Sequence, residues 1–363
     1  MTSPADPSAP ARWDADGFRA SIQSSLDAFV DEQAERLQPF GADAARLVEA
    51  ARAAVSGGKR FRGAFCLWGF RAVRDEGPDA AALVRAAAAL EVLHASALVH
   101  DDYMDASDTR RGRPATHKAF AALHRECGWA GDPEQYGAAA AILLGDLLLS
   151  WSDELLRRCG MDHDVVRDGL EFFDTTRSEV IAGQFLDVSV QARGESDVEQ
   201  AMRVLRYKSA KYSIERPLHI GAALAGASPA VLQSLTAFGL PLGEAFQLRD
   251  DLLGVYGDPE ATGKPAGDDL TEGKRTVLVA LALEHADAAD AKRLDEALGS
   301  ALSVDEVADL RRIIDASGAH AEVERRIDVL TKESLAALEG APVTESARAV
   351  LRDLAAAATQ RTL

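Results

Sequence analysis

Residues 79–108 read DAAALVRAAAALEVLHASALVHDDYMDASD, and this stretch decides the fold class. It contains no glycine or proline, so we expect one helix of about 30 residues, some 45 Å long at about 1.5 Å per residue. Apolar side chains cover nearly all of its sides, which is typical of a helix surrounded by other helices. Residues 137–155 have the same character, so both segments predict the interior of a helical bundle.

The remainder of the chain also has a helical pattern. Apolar residues recur three and four positions apart from Phe18 onward, and no β-branched run alternates with period two. Glycine and proline interrupt this pattern at residues 56–58, 76–78, 111–114, 127–133 and 254–273. We therefore predict an all-α protein with ten or more helices and no sheet. Residues 1–16 are rich in Pro, Ser and Ala and are expected to be a disordered tail, followed by a single domain at 17–363.

Composition and charge disfavour several classes of protein. The chain has 58 acidic and 40 basic side chains and a formal charge of -18, which argues against binding to nucleic acid. Charged residues break the long apolar stretches before the roughly 20 residues that a membrane span needs. The N-terminus has no apolar signal-peptide segment, and the three cysteines have no metal-ligand spacing, so we expect a cytoplasmic protein with reduced thiols.

The long predicted helix ends in an acidic motif. Asp101 and Asp105 lie one turn apart on the same helix face, and Asp102 lies about 100° around from Asp101. Three carboxylates at the end of an apolar helix repel one another unless a cation neutralises them. Oxygen-only ligands favour a hard ion such as Mg²⁺, which shares its other positions with water and phosphate oxygens. A solvated helix end is the alternative, but it leaves the adjacent Arg110 and Arg111 unexplained.

A second carboxylate pair, Asp250 and Asp251, closes another apolar helix. Alone it could be an ordinary surface pair. A Gly- and Pro-rich segment with Lys264 and Lys274 follows it, and a loop of this kind could close over a polyanion. The alternative is a solvated surface loop.

Two basic segments complete the pattern. Residues 57–62 read GGKRFR and place flexible backbone and cations before a predicted helix start, where phosphate groups can bind. Residues 206–212 read RYKSAKY and lie within a predicted helix, where Lys208 would be costly to bury without an anionic partner. Alone, the first segment is a common sequence and the second could be a solvated basic face.

The order of these motifs resembles the trans-isoprenyl diphosphate synthases, the polyprenyl synthetase family, over roughly residues 20–355. The similarity extends to His94 seven residues before Asp101, to LGDL at 144–147, to Gln184 with Asp187, and to FQLRDD at 246–251. It implies the all-α isoprenoid synthase fold, with about ten core helices around a deep central cavity, and usually a homodimer. It also implies a Mg²⁺-dependent trans-prenyltransferase that condenses isopentenyl diphosphate with an allylic diphosphate.

The resemblance assigns roles to the candidate site residues. The expected ligands of two or three Mg²⁺ ions are Asp101, Asp102, Asp105, Asp250 and Asp251. The expected contacts of the allylic diphosphate are Arg110, Lys208, Ser209, Gln247, Lys264 and Lys274. The expected pocket for isopentenyl diphosphate consists of Gly58, Lys59, Arg62, His94 and Arg111. This chemistry needs no side-chain nucleophile.

At one position the sequence departs from the family pattern. Many relatives have Asp-Asp-x-x-Asp as the second motif, but the last position here is Gly254. The nearest later carboxylate is that of Asp258. Either Asp258 replaces the missing side chain, or the second metal site depends on two side chains and water.

Product length is expected to follow the depth of the cavity along the long helix. In this family the fourth and fifth positions before the first aspartate form the floor in short-product enzymes, and here they are the small residues Ala97 and Ser96. Leu93 stands one turn deeper, about 5.4 Å away. We therefore predict a C20 product, geranylgeranyl diphosphate, with a farnesyl or longer polyprenyl product as the alternative. Ser96 and Ala97 could instead serve close helix packing, with the facing residues 142–149 setting the limit.

Three other functions use parts of the same pattern. A class I terpene cyclase also ionises allylic diphosphates with Mg²⁺, but its usual second motif is missing here and it needs no isopentenyl diphosphate pocket. A His-Asp phosphohydrolase would match His100-Asp101 but needs further histidine ligands, which His117, His124 and His163 do not provide convincingly. A non-catalytic partner subunit can lose aspartates or lid lysines, whereas this chain retains them.

Overall fold

The computed structural model describes residues 13–75, 80–257 and 267–360, and most of these residues are helical. The first helices are α1 (Ala15–Leu37), α2 (Gly41–Ala54), α3 (Phe61–Val73), α4 (Ala80–Met104), α5 (Thr116–Glu126), α6 (Pro133–Arg157), α7 (His163–Arg193) and α8 (Val198–Val204). A short 3₁₀ turn, Gln38–Phe40, joins α1 to α2, and a π-helical segment, Leu205–Glu215, follows α8. The remaining helices are α9 (Arg216–Leu224), α10 (Pro229–Tyr256), α11 (Asp268–Thr271), α12 (Val277–His285), α13 (Ala288–Ala297), α14 (Val304–Ala316), α15 (Ala319–Gly340) and α16 (Glu345–Thr359).

The prediction of an all-α fold is confirmed, but the prediction that there is no sheet is wrong at one place. Two strands of two residues each, β1 (Thr109–Arg110) and β2 (Arg113–Pro114), form an antiparallel ribbon after α4. The turn between them passes through Arg111 and Gly112, which have φ of 52° and 71°. This ribbon holds Arg110 against Asp102 near the end of α4 and directs Arg111 to the carbonyl of Ser56, before α3.

Helix α4 is shorter than the sequence predicts, because it ends at Met104 rather than at residue 108. Asp105 still donates its backbone N–H to the carbonyl of Asp101 at 2.8 Å, so the two carboxylates share the last turn. Ala106 then takes a φ of 54° and the chain leaves the helical direction. Within the described ranges α4 is the one helix long and apolar enough to span a membrane, but most of it is buried against other helices.

The N-terminal boundary also lies earlier than predicted. Helix α1 begins at Ala15, and the Asp14 side chain caps it by accepting a hydrogen bond from the Gly17 N–H at 2.8 Å. Trp13 packs against the rings of Phe18 and Trp68. The folded part therefore includes residues 13–16, and residues 1–12 of the predicted tail lie outside the described residues.

Helices α4 and α6 pack closely because small residues line their contact. The hydroxyl of Ser96 donates to the Gly145 carbonyl at 2.7 Å, and a Cβ at Gly145 would lie 2.1 Å from the His100 ring. Helix α6 is not buried on all sides, contrary to the prediction for residues 137–155. Ile142 and Leu143 are 45% and 61% exposed.

Two clusters of buried apolar side chains form the core, and α10 contributes to both. Leu242 and Phe246 belong to the cluster built largely on α1, α3, α4, α6 and α9. Leu248 and Leu252 belong to the cluster that α10 forms with α12–α15. The last turns of α10 therefore pack against both apolar clusters, and these turns carry Asp250 and Asp251.

Candidate active site

A cavity of about 1230 Å³ lies between α4, α7, the π-helical segment and α10, as the predicted fold requires. Most of the predicted site residues line it: Lys59, Arg62, His94, Ala97, Asp101, Arg110, Lys208, Ser209, Gln247, Asp250, Asp251 and Lys274. Among the described residues, six predicted ones are not part of the lining: Gly58, Leu93, Ser96, Asp102, Asp105 and Arg111. Lys264 and Asp258 lie outside the described residues.

Asp101 is the aspartate of α4 that faces the cavity most directly. Lys208 Nζ lies 3.3 Å from its Oδ1, and the Gln184 amide donates to the same oxygen at 3.1 Å. Burial acts to raise the pKa of Asp101, but the charges of Lys208, Lys274 and Arg110 outweigh it and the pKa is lowered. Asp101 is therefore ionised and surrounded by cations.

Asp102 points to Arg110 rather than into the cavity. The Nε of Arg110 donates to Asp102 Oδ1 at 2.7 Å, and the Asp102 side chain is 5% exposed. Such an ion pair orients the guanidinium, which does line the cavity. The structure thus favours a positioning contact for Asp102, whose predicted role as a metal ligand stays a prediction.

Asp105 contacts the loop that follows α11. Lys274 Nζ lies 3.2 Å from Asp105 Oδ2, 3.6 Å from Asp269 Oδ1, and forms a further ion pair with Glu272. Burial and repulsion by Asp101 raise the pKa of Asp105. The pKa of Lys274 is raised because Asp269, Asp105 and Glu272 outweigh the effect of its burial.

The second acidic wall is formed by Asp250 and Asp251 at the end of α10. The Gln247 amide donates to Asp251 Oδ1 at 2.8 Å. Asp251 is 7% exposed, and burial above all, followed by the charges of Asp269 and Asp250, raises its pKa to about 8. This wall lines the same cavity as Asp101, and the charge of Lys274, which pairs with Asp105, also acts to lower the pKa of Asp251.

Sequence reasoning gave no role to Asp268 and Asp269, which also line the cavity. They follow Gly267 and form the first turn of α11. The available signal was the run of carboxylates in the loop, but spacing along the chain does not reveal which of them turns toward α10.

The predicted isopentenyl diphosphate pocket is a group of cations at the start of α3. The Arg62 guanidinium lies 4.1 Å from the centroid of the Tyr212 ring and donates to the Ser213 hydroxyl at 2.7 Å. Arg62 Nε is buried and has no hydrogen-bond partner in the described part of the chain. His94 Nδ1 lies 2.7 Å from the Tyr212 hydroxyl. Arg111 lies beside Gly58, since a Cβ there would be 3.1 Å from its Nη2.

Positive charge is crowded in this pocket. Burial, followed by the charges of Arg62 and Arg111, lowers the pKa of His94 well below 6.5, so its ring is neutral near pH 7. Burial and the charges of Arg60 and Arg110 lower the pKa of Arg111. An anion bound here would relieve this repulsion.

The π-helical segment presents Lys208, Ser209 and Tyr212 to the cavity. Lys208 is not a solvated surface lysine, because its side chain is 20% exposed and donates to Asp187 Oδ2 at 2.6 Å. Helix α7 approaches the segment closely at Gly183, where a Cβ would lie 2.4 Å from the Lys208 backbone nitrogen. π-Helical turns of this kind are frequent at functional sites.

The chain-length residues divide into two groups. Ala97 lines the cavity, as predicted, and Ile142 of the facing helix lines it as well. Ser96 is 3% exposed and bonded to α6, and Leu93 is 2% exposed within the core. For Ser96 the structure therefore favours the helix-packing alternative, and Leu93 is not part of the cavity lining.

The donor groups fit a hard divalent cation. The two walls offer carboxylate oxygens, and burial, followed by the charges of neighbouring carboxylates, raises the pKa values of Asp105 and Asp251. Within the described ranges no three acidic or histidine side chains converge into a complete ligand set. A Mg²⁺ ion here would therefore share its coordination sphere with water and substrate oxygens, as is usual for this ion.

The fold and the cavity define the class of protein, an all-helical enzyme of the isoprenoid synthase fold. The polyprenyl synthetase family model matches residues 44–315, and the chain belongs to this family. It is accordingly a trans-prenyltransferase.

Individual relatives agree with this assignment. The chain is 36% identical over 246 residues to a short chain isoprenyl diphosphate synthase of Methanothermobacter thermautotrophicus, covering 68% of this chain and 69% of the relative. It is 33% identical over 292 residues to the (2E,6E)-farnesyl diphosphate synthase of Mycobacterium tuberculosis, covering 79% and 76%. The structure of a Corynebacterium glutamicum geranylgeranyl pyrophosphate synthase, complexed with isoprenyl diphosphate and magnesium, matches with a TM-score of 0.94 and 41% identity, over 96% of this chain and 100% of that one.

Proposed function

We propose that this protein joins isopentenyl diphosphate head to tail to an allylic diphosphate in a Mg²⁺-dependent reaction. The proposal depends on one observation, that the site holds two chemically different groups of cations. Lys208, Arg110 and Lys274 are paired with aspartates, whereas Arg62 contacts the neutral groups of Tyr212 and Ser213. Two diphosphates need two anion sites, whereas a terpene cyclase needs one.

The acidic walls are the proposed metal sites. Asp101 and Asp105 at the end of α4, and Asp250 and Asp251 on α10, would hold two or three Mg²⁺ ions together with substrate oxygens. When bound, Mg²⁺ supplies positive charge to the diphosphate that leaves the allylic substrate. The relative from Corynebacterium glutamicum was solved with both magnesium and isoprenyl diphosphate, which supports this assignment.

The side chains of the protein bind, orient and shield the reactants. Lys208 and Arg110 lie beside Asp101 and Asp102, where they would stabilise charge on the departing diphosphate as the allylic carbon–oxygen bond breaks. The isopentenyl double bond then attacks the allylic cation, and the proton that is lost passes to the released diphosphate. Water must be excluded because it would trap the cation, and Leu98 supplies part of an apolar wall.

We propose geranylgeranyl diphosphate as the product. The small Ala97 leaves the cavity open beside α4, and the apolar lining continues through Ile142, Val180 and Ile181. The named relatives include farnesyl and geranylgeranyl synthases, so the product length has to be measured for this chain.

We further propose that the protein is a cytoplasmic homodimer. Leu143 on α6 is 61% exposed outside the cavity lining, and Phe185 on α7, which lines the cavity, is 73% exposed. An apolar surface of this kind is typical of a protein–protein contact. Sedimentation of the purified protein tests the proposal, and a monomer at micromolar concentration would contradict it.

One assay tests the proposed reaction directly. Purified protein is incubated with Mg²⁺, isopentenyl diphosphate and each of the C5, C10 and C15 allylic diphosphates, and the dephosphorylated products are sized by chromatography. We expect elongation that stops mainly at C20. A hydrocarbon formed without consumption of isopentenyl diphosphate would indicate a cyclase, and no product would indicate a non-catalytic subunit.

A further inference from the structure

Arg60 lies in the chain between Lys59 and Arg62 of the proposed isopentenyl diphosphate pocket, but it is not part of the cavity lining. Its backbone has a φ of 56°, a left-handed conformation that is uncommon for a residue with a side chain. This conformation turns the chain into α3, which begins at Phe61. The bend that separates Lys59 from Arg62 therefore depends on the backbone of Arg60.

The side chain of Arg60 is 4% exposed and donates hydrogen bonds to three other segments. Its Nη2 donates to Gln23 Oε1 on α1 and to the carbonyl of Val55 just after α2, both at 2.6 Å. Its Nη1 donates to Glu91 Oε2 on α4 at 3.4 Å. One guanidinium group thus joins the start of α3 to three neighbouring elements, and its planar fork of donors suits this role.

Glu91 completes this arrangement from α4. Its side chain is 4% exposed, and its second oxygen, Oε1, accepts a hydrogen bond from the Gly63 N–H at 2.9 Å. The first N–H groups of a helix have no partner within their own helix. Arg60, the N-cap residue of α3, gives them no side-chain acceptor, so Glu91 supplies from another helix what an N-cap side chain usually supplies. Glu91 therefore balances the buried charge of Arg60 and also fixes the first turn of α3.

We propose that Arg60 and Glu91 form a positioning pair that holds Lys59 and Arg62 in place for isopentenyl diphosphate. The inference rests on the proposed function. Neither member of the pair lines the cavity, so both act through their neighbours rather than on the substrate itself. Groups that are already in place lose less conformational entropy when they bind a ligand.

The segment before Lys59 needs such support. Gly57 and Gly58 have φ of 66° and 92°, and glycine loses more conformational freedom on folding than any other residue. The Gly57 N–H donates to Gln23 Oε1 at 3.2 Å, the same oxygen that accepts from Arg60. The contacts of Arg60 therefore extend to the glycine segment and order it together with the start of α3.

Two rival explanations make different predictions. Arg60 could attract the diphosphate by its charge alone, since this charge also acts to lower the pKa of His94 and of Arg111. Removal of the negative charge of Glu91 should then strengthen the binding of isopentenyl diphosphate, whereas loss of positioning should weaken it. The pair could also serve only the stability of the fold, in which case neither substrate should be affected selectively.

The test measures initial rates of prenyl transfer with each substrate varied in turn. Arg60→Gly removes the side chain but keeps the backbone conformation, because glycine adopts positive φ readily. Glu91→Gln removes the charge but keeps an oxygen for the Gly63 N–H. We expect each variant to raise the KM for isopentenyl diphosphate by about tenfold, while the KM for the allylic diphosphate and kcat stay within about threefold of wild type.

Two further variants separate the explanations. Arg60→Lys keeps the charge but loses the fork of donors, so it should raise the KM for isopentenyl diphosphate by at least about threefold, whereas attraction by charge alone predicts no change. The double variant Arg60→Gly with Glu91→Gln should lie within about twofold of the more impaired single variant, because the two residues act as a unit.

The control is Arg85→Ala, which removes a half-buried arginine from the same helix α4. Arg85 Nε donates to the Cys159 carbonyl at 2.5 Å, and Arg85 does not line the cavity. This variant should lower the midpoint of thermal unfolding but leave both KM values within about twofold of wild type.

Three results would contradict these expectations. A lower KM for isopentenyl diphosphate in Glu91→Gln would overturn the proposal in favour of attraction by charge. KM values that are unchanged, or raised equally for both substrates, in Arg60→Gly and Glu91→Gln would overturn it in favour of stability alone. In both cases an active wild type would leave the proposed function intact, whereas a wild type that consumes no isopentenyl diphosphate would overturn the proposed function as well.

Discussion

Lys274 Nζ lies 3.2 Å from Asp105 Oδ2, so a lysine from the loop after α11 contacts the last turn of α4 across the cavity. The same ammonium group lies 3.6 Å from Asp269 on the other side. One cation therefore links the acidic end of α4 to α11. Its removal should leave several buried carboxylates without balance.

The first prediction concerns this lysine. Lys274→Met should lower the free energy of unfolding by about 3 kcal/mol without Mg²⁺, because it leaves buried charge uncompensated. Mg²⁺ with inorganic diphosphate should recover part of the loss, since ligands that bind the folded state stabilise it. Urea unfolding with and without these ligands measures both effects. Lys292→Met is the control, because that side chain is 73% exposed, and an equal loss in both variants would contradict the prediction.

The second prediction concerns the two acidic walls. Asp101→Ala and Asp250→Ala should each lower kcat for prenyl transfer by a factor of at least about 10²–10³, because each removes charge that orients the leaving diphosphate and its cations. The measurement is initial-rate kinetics with labelled isopentenyl diphosphate at saturating Mg²⁺. Asp164→Ala on the exposed start of α7 should retain the wild-type rate. Near-normal turnover in either wall variant would contradict the metal assignment.

The third prediction separates the two anion sites. Arg62→Ala should raise the KM for isopentenyl diphosphate by about 10- to 100-fold, because a charged hydrogen bond is lost, and should leave the KM for the allylic substrate nearly unchanged. Lys208→Ala should have the opposite selectivity. Arg203→Ala, whose side chain is 51% exposed on α8, is the control. If both site variants raised both KM values equally, the division into two sites would be wrong.

The fourth prediction concerns the stability of the fold in acid. Burial, and then the charge of Arg216, lowers the pKa of His219 from 6.5 to about 4. The neutral ring is therefore favoured in the folded state, so its contribution is complete above pH 6.5 and is lost as the pH falls toward 4. The loss should reach about 3 kcal/mol by pH 4. His219→Gln should remove this part of the pH dependence in urea unfolding between pH 7 and 4, whereas the exposed His163→Gln should not.

The architecture and most of the site could be predicted because local patterns dictate them. The uninterrupted apolar run of α4 predicts a buried helix, and a helical period fixes Asp101 and Asp105 on one face. A lysine buried within a helical bundle needs an anionic partner, and this requirement made Lys208 a candidate site residue. The structure provides such a partner in Asp187.

The remaining features depend on contacts between distant segments. The approach of Asp269 to Gly254 joins residues on two elements, and neither residue alone indicates it. The ion pair between Asp102 and Arg110 could not be predicted from the sequence either, because the ribbon that carries Arg110 has strands of only two residues. Strands this short have too few residues to show an alternating pattern.

The last prediction concerns product length, for which two neighbouring residues should behave differently. Ala97 lines the cavity, so Ala97→Phe should fill space beside the growing chain and shift the main product from C20 to C15 or shorter. Ser96 faces Gly145 instead, so Ser96→Phe should overpack the α4–α6 contact and lower stability by about 1–3 kcal/mol. Chromatography of the products and thermal unfolding of both variants distinguish the two effects. If Ser96→Phe shortened the product while Ala97→Phe did not, the side of α4 assigned to the cavity would be wrong.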